Sequence, residues 1–311
     1  MQKSHSPSGI GTIADASTAI RMIDALGGVS VVGEDQAEAL AAELKEGHYQ
    51  PGEAVVNEAE LSNRLYLILK GRAEVTARGH KGPIPLATVE AGQVFGELGL
   101  LGRHNRRTAT VRAITELATL ELPGVAFQRF LDGQPEIRKA LSERVIETSR
   151  SDFLRRATPF SALESAQRRQ LASRMEESEI PAGGTIVRQG EQGDSCFLLM
   201  EGHAEVLLED GVNQRSLGKL TEGTLFGEGA LLGGETTRSA TVRALTDCRL
   251  LVLERRDLLS VLGTQEKLAS DIARLIKLRE RARRQDGIEV YERAGPDGEL
   301  ITILKDPNRF T

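Results

Sequence analysis

Two stretches of this chain are near-copies of each other. Residues 95–113 read FGELGLLGRHNRRTATVRA, and residues 226–244 read FGEGALLGGETTRSATVRA. In each, a Gly-Glu pair opens a short apolar run, a polar loop follows, and an arginine precedes an alternating segment typical of a β-strand. A carboxylate, an arginine and backbone N–H groups exposed by glycine suit a small ligand with an anionic group beside a hydroxyl, as in phosphate on ribose.

The similarity extends far beyond these stretches at one constant offset. Eight matched pairs are each separated by 131 positions: Gly52 and Gly183, Tyr66 and Phe197, Gly71 and Gly202, Gly92 and Gly223, Phe95 and Phe226, Glu97 and Glu228, Arg107 and Arg238, Leu120 and Leu251. A shared offset without insertions indicates a duplicated domain rather than a chance motif match.

Composition limits the classes of protein to which this chain belongs. Its 311 residues, 40% hydrophobic and 27% charged, are enough for about two domains with cores of their own. The formal net charge of -5 gives no support for a nucleic-acid partner. No apolar run approaches the roughly 20 residues of a membrane span, and the N-terminus is too polar for a signal peptide. We therefore expect a soluble, cytoplasmic protein.

Cysteine and histidine usage predicts neither disulfides nor a metal site. Cys196 and Cys248 each lie in a strand-like run, which predicts reduced thiols in the core. The five histidines are far apart in the sequence, so no metal-ligand spacing occurs.

The periodicity of the chain predicts the same order of elements twice. Short helices are expected at 15–26 and 34–46, and from Gly52 the period changes to two, with short strands separated by turns. Helices follow the strands, and the order then repeats. The predicted fold class is α+β, with two tandem antiparallel β-barrel (jelly-roll) domains, each flanked by helices.

We place the domain boundaries between these repeated blocks. The predicted divisions are an N-terminal segment with a short helix at 1–33, a first domain at 34–157, a second domain at 158–284 and a C-terminal β-hairpin at 285–311. The second domain ends in a basic amphipathic helix at about 265–284. Its basic run, 279–284, is explained here by the helix dipole and by solvation.

These motifs resemble the cyclic nucleotide-binding domain. The resemblance rests on FGE, a loop and R-T/S-A-T-V, preceded by PGEAVV or AGGTIV and by LILKGRAEV or LLMEGHAEV, and it covers roughly residues 35–285. It implies two tandem domains that bind cAMP or cGMP and need no other cofactor.

The resemblance also implies roles for individual residues. Glu97 and Glu228 would accept a hydrogen bond from the ribose 2′-hydroxyl, and Arg107 and Arg238 would bind the cyclic phosphate together with nearby backbone amides. The implied first site comprises Phe95, Gly96, Glu97, Leu98, Gly99, Arg107, Thr108 and Ala109. The implied second site comprises Phe226, Gly227, Glu228, Gly229, Ala230, Arg238, Ser239 and Ala240.

Thr108 and Ser239 follow the two arginines, and their hydroxyls bear on which base is bound. Either could reach a guanine amino group or cap the loop. By resemblance to cGMP-preferring members of the family, which carry threonine here, we expect the first site to tolerate cGMP better than the second.

A structural interpretation competes with the ligand role. A single Glu–Arg pair is more often a surface ion pair, but identical spacing in both copies, with diverged loops between, favours ligand binding. A non-binding scaffold of the same fold stays open, since residues 59–64 lack the glycines found at 190–195. The second copy has Gly229 where the first has the apolar Leu98.

Other function classes fit the sequence less well. No nucleophile or general-base constellation occurs, so we do not expect an enzyme. A transcription factor would need a helix-turn-helix after the second domain, where about 27 residues follow Arg284. A kinase regulatory subunit would carry an inhibitory Arg-Arg-x-Ala/Ser stretch, which residues 1–34 lack.

The sequence therefore predicts a cyclic nucleotide receptor module that rearranges its helices on binding to control a fused or separate effector. The prediction leaves open a homodimer, the identity of the effector and the choice between cAMP and cGMP.

Overall fold

The computed structural model describes residues 14–27, 32–79, 82–102, 105–157, 159–232, 236–284, 289–294 and 300–305. Contacts divide the chain into two compact units, one of residues 1–77 and 85–146 and one of residues 78–84 and 147–311. Three parts of the sequence prediction lie outside the described residues. They are the N-terminal segment up to residue 13, the domain division at residue 158 and the hairpin turn at 295–298.

The first unit contains helices before, within and after its strands. The helices are α1 (Ala16–Ala25), α2 (Glu34–Ala41), α3 (Glu97–Leu101), α4 (Gly124–Asp132) and α5 (Pro135–Ala157), the last of which begins in this unit. The strands are β1 (Lys45–Tyr49), β2 (Ala54–Val56), β3 (Arg64–Lys70), β4 (Arg72–Gly79), β5 (Gly82–Glu90), β6 (Val94–Phe95), β7 (Thr110–Ala113) and β8 (Leu117–Pro123). The end of β4 and the start of β5 fall within residues 78–84, which are grouped with the second unit.

The second unit repeats this order and adds a hairpin. After a short 3-10 helix at Pro159–Ala162, its helices are α6 (Ser165–Arg174), α7 (Gly229–Leu232), α8 (Arg255–Leu262) and α9 (Glu266–Arg284). Its strands are β9 (Glu176–Ile180), β10 (Thr185–Val187), β11 (Ser195–Glu201), β12 (Ala204–Asp210), β13 (Asn213–Leu220), β14 (Leu225–Phe226), β15 (Thr241–Ala244) and β16 (Cys248–Glu254), followed by β17 (Glu289–Ala294) and β18 (Leu300–Lys305).

The elements reproduce the 131-residue offset. Strand β3 begins at residue 64 and β11 at 195, and the long helices α5 and α9 begin at 135 and 266. The duplication therefore includes the helix that follows each set of strands.

Each unit forms two antiparallel sheets rather than the closed barrel that the sequence predicts. In the first unit the strand orders are β1-β8-β3-β6 and β2-β7-β4-β5, and in the second they are β14-β11-β16-β9 and β10-β15-β12-β13. Pairing among the described strands does not join the two sheets of a unit into one ring. Two facing antiparallel sheets with flanking helices agree with the jelly-roll alternative.

Strand β3 shows how the sequence specifies this packing. Its apolar run is continuous because both of its faces are buried. Leu65 and Leu67 pack with the helices, whereas Tyr66 and Ile68 alternate onto the other face and pack between the sheets. A one-residue slip would exchange the two sets, so the register is strongly constrained.

The predicted hairpin and the predicted core thiols are both observed. Strands β17 and β18 pair antiparallel from Glu289 with Lys305 to Ala294 with Leu300, and their backbone lies beside β13 and α9. Cys196 and Cys248 are buried free thiols. Among the described helices, none is long and apolar enough to cross a membrane.

Alanine substitutions at Gly202 and Gly183 should show how much stability is lost to backbone strain alone and how much to a steric clash. Gly202 has φ +94°, and a Cβ there would lie 2.3 Å from the carbonyl oxygen of Asp247. Gly183 has φ +82° with no atom within 4 Å of such a Cβ. Gly183→Ala should lower the free energy of unfolding by about 1 kcal/mol, because it adds only strain. Gly202→Ala should lower it by about 3 kcal/mol, because the backbone must also move.

Urea denaturation of the full chain, followed by circular dichroism, measures both losses. Equal losses in the two variants would show that contact with Asp247 does not constrain this turn.

Candidate functional site

Arg107 is buried in the first unit and is held by backbone carbonyls and an aromatic ring. Only 5% of the residue is exposed. Its Nη1 donates to the carbonyl of Gly96 at 3.1 Å, and its Nη2 donates to the carbonyl of Arg64 at 2.8 Å. Its Cζ lies 5.4 Å from the ring centroid of Tyr66, which stacks on Phe95 at 4.7 Å. The cation thus has a fixed position beside the predicted Gly-Glu pair.

Arg238 has the same environment in the second unit. Its Nη1 donates to the carbonyls of Ser195 at 2.7 Å and Gly227 at 2.9 Å, and its Nη2 donates to the Ser195 hydroxyl at 3.3 Å. Its Cζ lies 5.5 Å from the ring centroid of Phe197, which stacks on Phe226 at 5.3 Å. The duplication has therefore preserved a three-dimensional support for the arginine.

Burial is the main electrostatic influence on both arginines. It lowers the pKa of Arg107 and of Arg238, while nearby groups, among them Glu97 and Glu228 respectively, act in the opposite direction. A guanidinium remains charged despite such shifts. Each unit therefore holds a permanent buried cation whose neutral hydrogen-bond partners leave its charge available to an anion.

The predicted residues of the first site lie on β6, at α3 and in the segment before β7. Phe95 ends β6, and Gly96, at φ +102°, precedes α3. Glu97, Leu98 and Gly99 form the first turns of α3, and Thr108 and Ala109 lead into β7. The hydrogen bond from Arg107 to the carbonyl of Gly96 joins the arginine directly to the Gly-Glu pair of the same motif.

Glu228 is buried and already paired with a cation. The residue is 2% exposed. Its Oε1 accepts from Nη1 of Arg279 at 2.6 Å, and Nη2 of Arg279 donates to the carbonyl of Leu225 at 2.7 Å. The other oxygen, Oε2, has no hydrogen-bond partner among the described residues. One side of the carboxylate is fixed by α9, and the other retains its capacity to accept.

The predicted second site forms the wall of one cavity. The cavity has a volume of about 290 Å³. All eight predicted residues line it: Phe226, Gly227, Glu228, Gly229, Ala230, Arg238, Ser239 and Ala240. The structure thus brings together residues from β14, α7 and the loop before β15 around a single space.

One face of α9 forms another wall of this cavity, and none of its residues was among the predicted site residues. Ile276, Arg279, Glu280 and Arg283 line it at helical spacing, together with Arg284. The interpretation of 279–284 as a solvated basic run was wrong for Arg279, whose side chain is 22% exposed and binds Glu228. The i, i+3, i+4, i+7 spacing of these residues is visible in the sequence. The carboxylate that Arg279 binds, Glu228, is distant in the sequence and could not be identified from that spacing.

The two copies differ at the position of Arg279. At the 131-residue offset, the first copy has Thr148, which cannot supply a cation. The ion pair between α9 and Glu228 is therefore a feature of the second copy.

Comparison with known proteins identifies the family of both units. The family model of the cyclic nucleotide-binding domain matches residues 46–134 and 177–265, which together are more than half of the chain. Both matches end just before the long helices α5 and α9.

Curated relatives are protein kinases or their regulatory subunits. The chain is 29% identical over 222 residues to the cGMP-dependent protein kinase egl-4 of Caenorhabditis elegans, covering 71% of this chain and 27% of that protein. It is 28% identical over 220 residues to the cAMP-dependent protein kinase regulatory subunit of Colletotrichum orbiculare, covering 68% and 54%. The chain thus spans between about a quarter and a half of these relatives.

A solved structure of similar length is the regulatory domain of Toxoplasma gondii PKA with cAMP. It is 23% identical, with a TM-score of 0.40, and the match covers 83% of this chain and 97% of that one.

Replacing Arg279 should destabilise the protein, because Glu228 would remain buried without its paired cation. Arg279→Met keeps much of the side-chain volume but leaves a buried carboxylate without its cation, so the free energy of unfolding should fall by about 3 kcal/mol at neutral pH. The double variant Glu228→Gln/Arg279→Met should recover much of this loss, because no buried charge remains. Arg281→Met, at an exposed position of the same helix, is the control. Urea denaturation without nucleotide measures all three, and equal stability of Arg279→Met and the control would contradict the pairing.

Proposed function

Since this chain belongs to the cyclic nucleotide-binding domain family, we propose that it is a receptor for two cyclic nucleotides, one in each unit. Arg107 and Arg238 bind the cyclic phosphates, and Glu97 and Glu228 accept from the ribose 2′-hydroxyls. The remaining predicted residues of each motif, from Phe95 to Ala109 and from Phe226 to Ala240, shape the two pockets.

One observation carries this proposal, namely the unused hydrogen-bonding capacity in the second cavity. Three of the five N–H groups of Arg238 donate to described atoms, which leaves two for an anion. Glu228 Oε2 is an acceptor without a hydrogen-bond partner in the described part of the chain, and it belongs to a residue that lines the same cavity. Donors for a phosphate and an acceptor for a hydroxyl thus occur together in a space of about 290 Å³.

The relatives favour a protein kinase as the effector, and since residues 1–34 lack the inhibitory Arg-Arg-x-Ala/Ser stretch, the kinase would have to be regulated through another contact. Curated relatives that match about 70% of the chain are named as a cGMP-dependent protein kinase and a cAMP-dependent protein kinase regulatory subunit. We propose that this chain regulates such an effector and performs no catalysis itself.

Calorimetric titration with cAMP and cGMP tests the two sites separately. The unaltered chain should bind two equivalents. Arg107→Ala and Arg238→Ala should each abolish one, because losing a charge-assisted phosphate contact costs about 2 to 5 kcal/mol, or at least tens-fold in affinity.

Arg106→Ala is the matched control for the first site, since it removes the same charge from an exposed neighbour whose Nη1 donates to Ala59. Unchanged stoichiometry and affinity in both site variants would defeat the proposed function. No binding by the unaltered chain would favour the non-binding scaffold.

We further propose that the second site signals through α9. The ribose hydroxyl and Arg279 bind the two oxygens of one carboxylate, so nucleotide binding and the position of α9 are linked through Glu228. A ligand shifts such an element only by its difference in affinity for the two positions, typically about 1 to 3 kcal/mol.

Hydrogen exchange measures this coupling directly. Nucleotide should increase amide protection in α9 and in strands β17 and β18, whose backbone lies beside that helix. Arg279→Met should bind nucleotide but show a smaller change in these segments. Changes restricted to α7 and the residues around Arg238, with α9 unaffected, would rule out signalling through the helix.

A further inference from the structure

The second cavity contains charged groups that binding of phosphate and ribose does not use. Glu280 and Arg283 lie on the cavity face of α9, and neither makes an ion pair with a described residue. Both are half-buried. A carboxylate and a guanidinium that are partly removed from water beside an apolar wall gain from polar partners, and a bound ligand can supply them.

Arg283 lies about the length of a nucleobase from Arg279 along α9. Arg279 contacts Glu228, the proposed partner of the ribose, at 2.6 Å. Arg283 is four residues farther along the same face, about 6 Å along the helix axis. A nucleobase extends from its ribose over a similar distance. The end of α9 is held in position because the carbonyl of Arg283 accepts from Nη2 of Arg215 on β13 at 2.9 Å.

The chemistry of this pair distinguishes the two purines. Guanine presents two donors, N1–H and N2–H, on one edge and two acceptors, O6 and N7, on the next. A carboxylate offers only acceptors, and a guanidinium offers only donors, so each can bind one guanine edge in a bidentate manner. Adenine alternates donor and acceptor on both edges, which suits asparagine or glutamine. Neither amide residue is among the described residues that line the cavity.

We propose that the second site selects guanine, with Glu280 accepting from N1–H and N2–H and Arg283 donating to O6 and N7. The inference rests on the proposed function, since it requires a cyclic nucleotide in this cavity. Thr108 and Ser239 alone predict that cGMP is better tolerated at the first site. The groups on α9 favour guanine at the second site independently of those hydroxyls.

The test uses Arg107→Ala, which leaves the second site to bind alone, and titrates it with cGMP, cAMP and inosine 3′,5′-cyclic monophosphate. Since a good bidentate pair discriminates by about 1 to 3 kcal/mol, cGMP should bind about 5- to 150-fold more tightly than cAMP. The inosine nucleotide keeps O6, N7 and N1–H but lacks the 2-amino group, so its affinity should lie between the two.

Substitutions then assign the preference to residues. In the same background, Arg283→Gln and Glu280→Gln should each reduce the ratio of cAMP to cGMP dissociation constants about fivefold or more, because glutamine removes a guanine contact and can pair with adenine. Arg281→Gln, exposed on the same helix and not part of the cavity wall, should leave the ratio unchanged.

Three outcomes would overturn the inference. Equal or tighter binding of cAMP would do so and would leave the receptor function intact. Equal loss of both nucleotides in both glutamine variants would show a merely structural role for α9. Failure of all three nucleotides to bind would overturn the proposed second site together with its specificity.

Discussion

The architecture of both units depends on keeping an arginine charged and buried. A guanidinium removed from water must exchange its hydration for fixed partners, and this requirement determines what surrounds Arg107 and Arg238. In each unit the strand that supplies the aromatic ring also supplies a carbonyl acceptor, and the turn after the next aromatic residue supplies another. The stacked rings cover one face of the cation. These partners are neutral, so a net positive charge remains for an anionic ligand.

The duplication has preserved this support while the long helices that follow each set of strands diverged. Tyr66 and Phe197 differ by one hydroxyl, yet both lie near 5.5 Å from their arginine. The long helices, in contrast, begin at equivalent positions but bring different groups, Thr148 in one copy and Arg279 in the other. Under the proposed function, long helices that differ at this position would let the two sites respond to ligand differently, because the coupling of a site to its helix depends on that contact.

Much of this organisation could be predicted from the sequence because it is local or repeated. The period-two strands, the Gly-Glu motif and the arginine recur at a fixed offset. This recurrence distinguishes them from chance matches to a short motif. The pairing of strands into two sheets, rather than a closed barrel, depends on long-range hydrogen bonds that no periodicity encodes. The same applies to Arg279. Its role depends on a carboxylate 51 positions earlier, Glu228. The sequence of a basic run at a helix end does not distinguish a run that faces water from one that faces a cavity.

The ion pair between Glu228 and Arg279 also bears on where the functional boundary of the second domain lies. The family match ends at residue 265, one position before α9 begins. A fragment cut there would retain the eight strands, the motif and Arg238, yet it would lack one wall of the cavity and expose Glu228 to water. The carboxylate of Glu228 would then be free to turn. Any nucleotide affinity measured on such a fragment would be that of an open groove rather than of the complete cavity. The family match and the second unit therefore have different ends in this chain. Helix α9 lies outside the match, yet Leu268, Ile272 and Ile276 pack in the core of the unit and Arg279 lines the cavity.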